Sequence, residues 1–238
     1  MSAAAASSER SSGVAAGAPD QPADHLDYPV CLRLAGKPVL VVGGGAVATG
    51  RVRGLLAAGA AVRVVAPQVD PELVAAAAQG RLTLEQRRFA PADVEGAMLV
   101  IAAVDDPRVS ERIVAAARVR GIWCTAVDKP ALCDFTMPSV GRRGPITVAV
   151  STSGKAPALA AQLRRRFEAQ LHAEDLLIAD GVEVLRRVLP AGPARMRTIR
   201  AAVALASAAT GTARRLATRL GLGAAPLGKD PSPSGGRS

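Results

Sequence analysis

The segment that most narrows the fold is Pro38-Val-Leu-Val-Val42, which runs without a break into Gly43-Gly44-Gly45-Ala46-Val47-Ala48. Val-rich apolar runs of this length favour a buried strand. Three successive glycines then allow a tight turn that side chains would block. Helical spacing follows through Val47, Arg51, Leu55 and Leu56, and Gly59 is placed to end the helix. A second apolar run, Val62–Val65, stops at Ala66-Pro67. Strand, helix and strand within about 30 residues is the size of one βαβ unit. The hexapeptide reads G-x-G-x-x-A, in the strand-to-helix context where backbone N–H groups can meet a pyrophosphate at a helix N-terminus. The sequence therefore points to a dinucleotide site built on Gly43, Gly45, Ala46, Val47 and Ala48.

The same rhythm continues. A helix is expected over 71–79, strands over 82–86 and 98–103, a helix over 107–119 and a strand over 121–127. Alternating βα elements with fully apolar strands predict an α/β fold, a Rossmann-like doubly wound parallel sheet. After Pro130 the pattern changes. Two extended segments, 133–140 and 145–151, flank a turn expected at Gly141–Gly144. Helical spacing then fills 156–171, 174–189, 194–208 and 212–220, with Pro190-Ala-Gly-Pro193 as a breaker. The expected division is a disordered tail (1–26), a Rossmann domain (27–137), a β linker and dimerisation region (138–171), a small basic helical domain (172–222) and a second tail (223–238).

Composition removes several function classes. Aromatic residues make up 2% of the chain, too few to build a stacking platform for single-stranded nucleic acid. Three cysteines at wide spacing suit a reducing compartment better than a disulfide framework, and all three are expected as small buried hydrophobes. No Cys/His spacing fits structural zinc. Glu9 and Arg10 interrupt any signal-peptide core, and the uncharged run between Arg200 and Arg214 is short of the roughly 20 residues that span a bilayer. A cytoplasmic protein without a membrane partner is expected. The net charge is +10, and residues 151–238 carry 14 basic against 6 acidic residues. Codon bias toward Arg explains that excess as well as a surface for an anionic partner does.

Ligands of open α/β sheets sit beyond the strand C-termini. That places Val104-Asp105 near a bound dinucleotide, with Asp106 before Pro107 as a helix N-cap. Asp128 ends the fifth strand at the same edge and is a candidate proton acceptor, although Asp-Lys-Pro is also a common turn. The acid that usually grips the adenosine ribose is missing: the second strand ends Ala66-Pro67-Gln68, and Asp70 lies beyond it. Residues alone leave NAD and NADP open.

Four segments in order, VLVVGGGAVATGRVRGLLAAGAAVRVVAP, LVIAAVDDPRVSERI, CTAVDKPALCDFTMPSV and ITVAVSTSGKAPALA, resemble the precorrin-2 dehydrogenase/sirohydrochlorin ferrochelatase family. The likeness runs from about Leu32 to Leu171. Members stand alone or form the N-terminal part of siroheme synthase, and this chain resembles the stand-alone form. The resemblance implies oxidation of precorrin-2 to sirohydrochlorin with NAD, a homodimer, and in many members Fe²⁺ insertion. It places the key aspartate on Asp128, with transient Fe²⁺ contact there and no permanent metal. Cofactor contacts fall on Gly45, Ala46, Val47, Pro67, Gln68, Val104 and Asp105, so the missing ribose acid is normal for the family. Substrate contacts would fall on Ser151, Thr152, Ser153, Lys155, Arg164 and Arg165. Thr152 stands where some members carry a phosphorylated serine, and Thr125 where relatives often have Asn. A polycarboxylate substrate would give the C-terminal arginines carboxylate partners; His172, alone on a helix, reads as structural or exposed. Three other readings compete. They are a dehydrogenase served by a separate chelatase, a non-enzymatic NAD-responsive module, and an Arg-rich nucleic-acid binder, which would lack any helix-turn-helix signature.

Overall fold

A computed structural model describes residues 27–219, and the chain divides into two compact units between Thr136 and Met137. The expected tails at 1–26 and 223–238 lie outside the described residues.

In the first unit, strands β1 (Pro38–Val42), β2 (Ala61–Val65), β3 (Thr83–Glu85), β4 (Leu99–Ala102) and β5 (Trp123–Ala126) form one parallel sheet in the order β3-β2-β1-β4-β5. Helices α1 (Ala46–Ala57), α2 (Pro71–Ala78) and α3 (Pro107–Val119) make the crossovers. Strand side chains alternate between two cores. Val39 and Val41 pack with Ala48, Val52, Leu55 and Leu73. Leu40 and Val42 pack with Ile113, Val114 and Ala117. Burial on both faces explains why these strands carry no polar alternation. Fully burying a side chain such as Leu40 or Ile113 contributes about 1.5–3 kcal/mol. Asp70 and Asp106 cap α2 and α3 by accepting the N–H groups of Glu72 (2.9 Å) and Arg108 (2.8 Å), and Pro71 and Pro107 follow them at the first helical position.

The strands end level. Gly43 N–H donates to Val65 O (3.0 Å), Ala103 N–H to Val42 O (2.8 Å) and Val127 N–H to Ala102 O (2.9 Å). The C-termini of β2, β1, β4 and β5 are thereby tied into one edge. The exposed margin at β3 is closed by charge. Buried Asp93 accepts from Arg87 (2.6 and 2.8 Å) and from Ala90 N–H (2.8 Å), Arg87 also pairs with Glu85, and Arg63 reaches Glu85 (3.1 Å) and the Asp93 carbonyl.

In the second unit, β6 (Ser139–Arg143) and β7 (Ile146–Val150) form an antiparallel hairpin on which α4 (Pro157–Ala169) packs. Helix α5 (Ala173–Val188) packs along α6 (Pro193–Arg219). Two expectations are corrected here. The turn is Gly144-Pro145, and Gly141 lies inside β6, where a Cβ would come within 2.8 Å of the Glu168 carboxyl. Gly141 is there to make room for the Arg164–Glu168 pair on α4 rather than to turn the chain. Segments 194–208 and 212–220 form one continuous helix as far as Arg219. A glycine inside a helix costs only about 1 kcal/mol relative to alanine, and the hydroxyls flanking Gly211 are satisfied within the helix: Thr210 donates to Ser207 O and Thr212 to Ala208 O. No helix among the described residues is long and apolar enough to cross a membrane.

Candidate active site

The glycine loop lies at the topological switch point, where β1 is flanked by β2 and β4. Its three glycines do different things. Gly43 has φ 124°, and a Cβ there would sit 2.0 Å from Ala103 O. At Gly44 a Cβ would sit 2.2 Å from Gln68 O, and its carbonyl accepts Asp70 N–H at 2.8 Å. These two positions require glycine so that the loop can pack on its neighbours. Gly45 has nothing within 4 Å of its Cβ position, and with Ala46 and Val47 it is exposed at the start of α1. The first amide to bond back along the helix is that of Thr49, to Gly45 O (3.0 Å). The amides before it lack intrahelical acceptors, and α1 has neither a capping side chain nor an acid in its first turn. This open, positively polarised N-terminus fits an anionic pyrophosphate. Ala48, fully buried, is the small residue that lets α1 approach the sheet.

Pro67 and Gln68 are exposed just past β2, while Asp70 is committed to capping α2. Past β4, Val104 is half-buried, Asp105 is exposed, and Asp106 is the cap expected of it.

Asp128 stands on the turn after β5, at the same edge. It is exposed, and its φ of 59° is left-handed, uncommon for a residue other than glycine. No side chain among the described residues pairs with its carboxylate. The turn beneath it is held from two directions. Lys129 Nζ donates to Ser110 Oγ (2.6 Å) and Val104 O (3.4 Å). Cys133 Sγ accepts from Thr125 Oγ1 and Ala126 N–H (both 3.3 Å) and lies 3.1 Å from Ala126 O. Asp134 closes the loop by accepting Cys124 N–H (2.9 Å) and the Arg118 guanidinium (3.2 Å). The cysteines therefore depart from the expectation of three buried hydrophobes. Cys124 is one, its thiol pushed up to about 12 by burial; Cys133 is half-buried and hydrogen-bonded; Cys31 is exposed.

The remaining expected site residues lie in the second unit. Ser151 Oγ accepts Ser153 N–H (3.1 Å), Thr152 Oγ1 accepts Ala156 N–H (3.0 Å), and Ser153 has φ 49°. This tight loop opens α4 and leaves Lys155 exposed. Arg164 is engaged by Glu168, whereas Arg165 is exposed. His172 is the N-cap residue of α5, its backbone N–H bonded to Asp175 (2.8 Å). Among the described residues no three His, Cys, Asp or Glu side chains are grouped to hold a metal ion.

Sequence reasoning passed over Lys129, Ser110, Cys133 and Asp134. The pairing of Lys129 with Ser110 leaves no mark in local spacing. Only the adjacency of Lys129 to Asp128 hinted at a role.

Residues 30–139 match a family model described as "Putative NAD(P)-binding", and residues 143–170 match one described as sirohaem biosynthesis protein central. The chain is 44% identical over 145 residues to a siroheme synthase of Methylobacillus flagellatus, covering 61% of this chain and 31% of that protein. It is 42% identical over 175 residues to one of Methylococcus capsulatus, covering 71% and 37%. The chain thus spans about a third of the length of these curated relatives. A solved structure named "SirC, precorrin-2 dehydrogenase" superposes with a TM-score of 0.60 at 26% identity, covering 72% of this chain and 86% of that one. Fold, glycine loop and family models together define an NAD(P)-binding Rossmann protein joined to a sirohaem-biosynthesis segment. The chain is a homologue of siroheme synthases over that third of their length and shares the fold of a precorrin-2 dehydrogenase, the relationship that its four sequence segments imply.

Proposed function

We propose that this chain is an NAD-dependent oxidoreductase that converts precorrin-2 to sirohydrochlorin, with Asp128 as the proton acceptor. The observation that carries the reading is the unpaired, exposed Asp128 carboxylate, held on the same sheet edge as the open N-terminus of α1. NAD supplies the acceptor for the hydride that leaves the substrate; the protein's task is to position the reactants and take up the accompanying proton. Gly45, Ala46 and Val47 hold the pyrophosphate by backbone amides. Pro67 and Gln68 border the adenosine, and Val104 and Asp105 contact the nicotinamide half through their backbone. Removal of one hydride and one proton balances the two-electron oxidation.

Ser151, Thr152, Ser153, Lys155 and Arg165 are assigned to the substrate's carboxylates, which match ammonium, guanidinium and hydroxyl donors. Arg164 contributes less, because Glu168 already occupies its guanidinium. If Fe²⁺ is inserted, Asp128 takes the displaced pyrrole protons in turn. In that case iron enters the reaction as substrate. The exposed Cys31 thiol suits a reducing, cytoplasmic setting, and the apolar side chains exposed on α4 and α5 suit a homodimer.

The test is an anaerobic assay with enzymatically generated precorrin-2 and NAD⁺, reading sirohydrochlorin absorbance, with Asp128→Ala beside the wild type. Loss of a general base costs about 10²–10⁴-fold in kcat. No NAD⁺-dependent oxidation by folded wild-type protein would sink the reading. A second phase with Fe²⁺ separates a bifunctional enzyme from a dehydrogenase served by another chelatase.

A further inference from the structure

We infer that Lys129 is a positioning residue, locking the turn that carries Asp128 to the β4–α3 loop through Ser110 and Val104; this rests on the role proposed above for Asp128. A left-handed aspartate persists only where its surroundings over-determine it. Here the turn's own bond is weak, with Lys129 N–H 3.3 Å from Ala126 O. The stronger restraint is the side chain. The Lys129 ammonium reaches Ser110 Oγ at 2.6 Å, and Ser110, 1% exposed, donates its own hydroxyl proton to Asp106 O at 3.2 Å. The hydroxyl oxygen is therefore left to accept from the ammonium. A second donor points to Val104 O at 3.4 Å. One side chain thus joins the end of β4, the first turn of α3 and the Asp128 turn.

Stability gives little reason for a cation there. Among the described residues Lys129 has no ion-pair partner, and it sits by the positive end of α3, where a cation is disfavoured. The chain also uses arginine almost throughout, with four lysines among 30 basic residues. A compact ammonium fits a single hydroxyl and a carbonyl, whereas a planar guanidinium fork would not. The arrangement fixes Asp128 relative to Val104, the residue assigned to the nicotinamide half.

Lys129→Met keeps the stem's bulk and removes the donor; Ser110→Ala removes its partner from the other side. In the full chain, Lys129→Met is expected to lower kcat for precorrin-2 oxidation by about tenfold or more, with NAD⁺ affinity and the KM for precorrin-2 changed by less than about threefold. The double variant should be no slower than Lys129→Met alone, because both changes break one link. Amide exchange of the 126–129 peptide should quicken in both single variants, with the sheet's exchange unchanged. An unchanged kcat, a loss confined to KM, or additive losses would overturn the inference. If Lys129→Met does not fold, Ser110→Ala carries the same kcat and exchange tests. If wild-type protein fails to oxidise precorrin-2, the functional reading falls. The exchange comparison then decides the lock alone: equal exchange in variant and wild type refutes it.

Discussion

Three adjacent glycines show how far one residue type can be read. The motif marks Gly43 and Gly45 and leaves Gly44 unspecified, whereas the structure gives each of the three its own job. Gly43→Ala would place a methyl 2.0 Å from Ala103 O in a left-handed conformation, so the strand edge must open and the protein should lose several kcal/mol or fail to fold. Gly45 meets nothing, and substitution there tests binding without disturbing packing. Gly45→Asp supplies a better N-cap than glycine, by a few tenths of a kcal/mol, and places a carboxylate where the pyrophosphate approaches. The expected result is an unchanged or slightly raised Tm with NAD⁺ affinity weakened about tenfold or more, read by thermal melts and titration calorimetry. Unweakened NAD⁺ binding would move the dinucleotide away from this loop. Asp128 was legible as a strand-end carboxylate, because its place follows from counting βα units. Its left-handed backbone was not, since φ there is imposed by Lys129 and Cys133 through bonds to Ser110, Val104 and Ala126.

At the scale of elements, the parallel strands were readable because burial on both faces leaves unbroken Val/Ile/Leu runs, and α3 because an Asp-Pro cap marks its start; Gly121 was placed in the following strand, but its φ of 65° ends the helix and β5 begins at Trp123. The hairpin and α6 were less so. Glycine marks turns only when a left-handed φ is needed, and Gly144 (φ 50°) needs it whereas Gly141 instead gives room to α4. The groups a Gly141→Ala methyl would meet are the mobile ends of Glu168 and Arg164, so that variant should cost under about 1 kcal/mol in denaturant melts, far less than Gly43→Ala. The β3 margin supplies the pH dependence. The Arg87 guanidinium holds Asp93 below its ordinary value, and Arg87 and Arg63 do the same for Glu85. A carboxylate lowered by folding stabilises the native state above its unfolded pKa, near 4, and that contribution is lost as pH falls through the native value. Stability should therefore drop on acidification below about pH 4–5, and Asp93→Asn should be less stable at neutral pH with a flatter acid limb. An acid limb equally steep in Asp93→Asn would assign the dependence to other carboxylates.

The two units of the molecule differ in how they stabilise themselves. The first unit buries two hydrophobic clusters, one on each side of its sheet. In the second, Ala160 and Ile199 are the only buried hydrophobic side chains among the described residues, while Leu159, Phe167, Leu177, Val184 and Val188 are 48–73% exposed. The sequence showed helices of the right period here, yet amphipathic spacing says which face is apolar and not what covers it. A second copy of the chain is the cover proposed above for these side chains. Mass by light scattering should then be twice that of one chain, and Tm should fall on dilution, because only the folded dimer buries these side chains. Phe167→Asp would put a charge among these side chains from the last turn of α4, and Leu177→Asp from α5. Each should halve the measured mass and lower Tm, leaving the NAD⁺ affinity of the first unit within about twofold, since no residue of the glycine loop is touched. A wild-type chain that is monomeric with a dilution-independent Tm would show that the second unit stands without the copy, and that its exposed helices are a surface for some other partner.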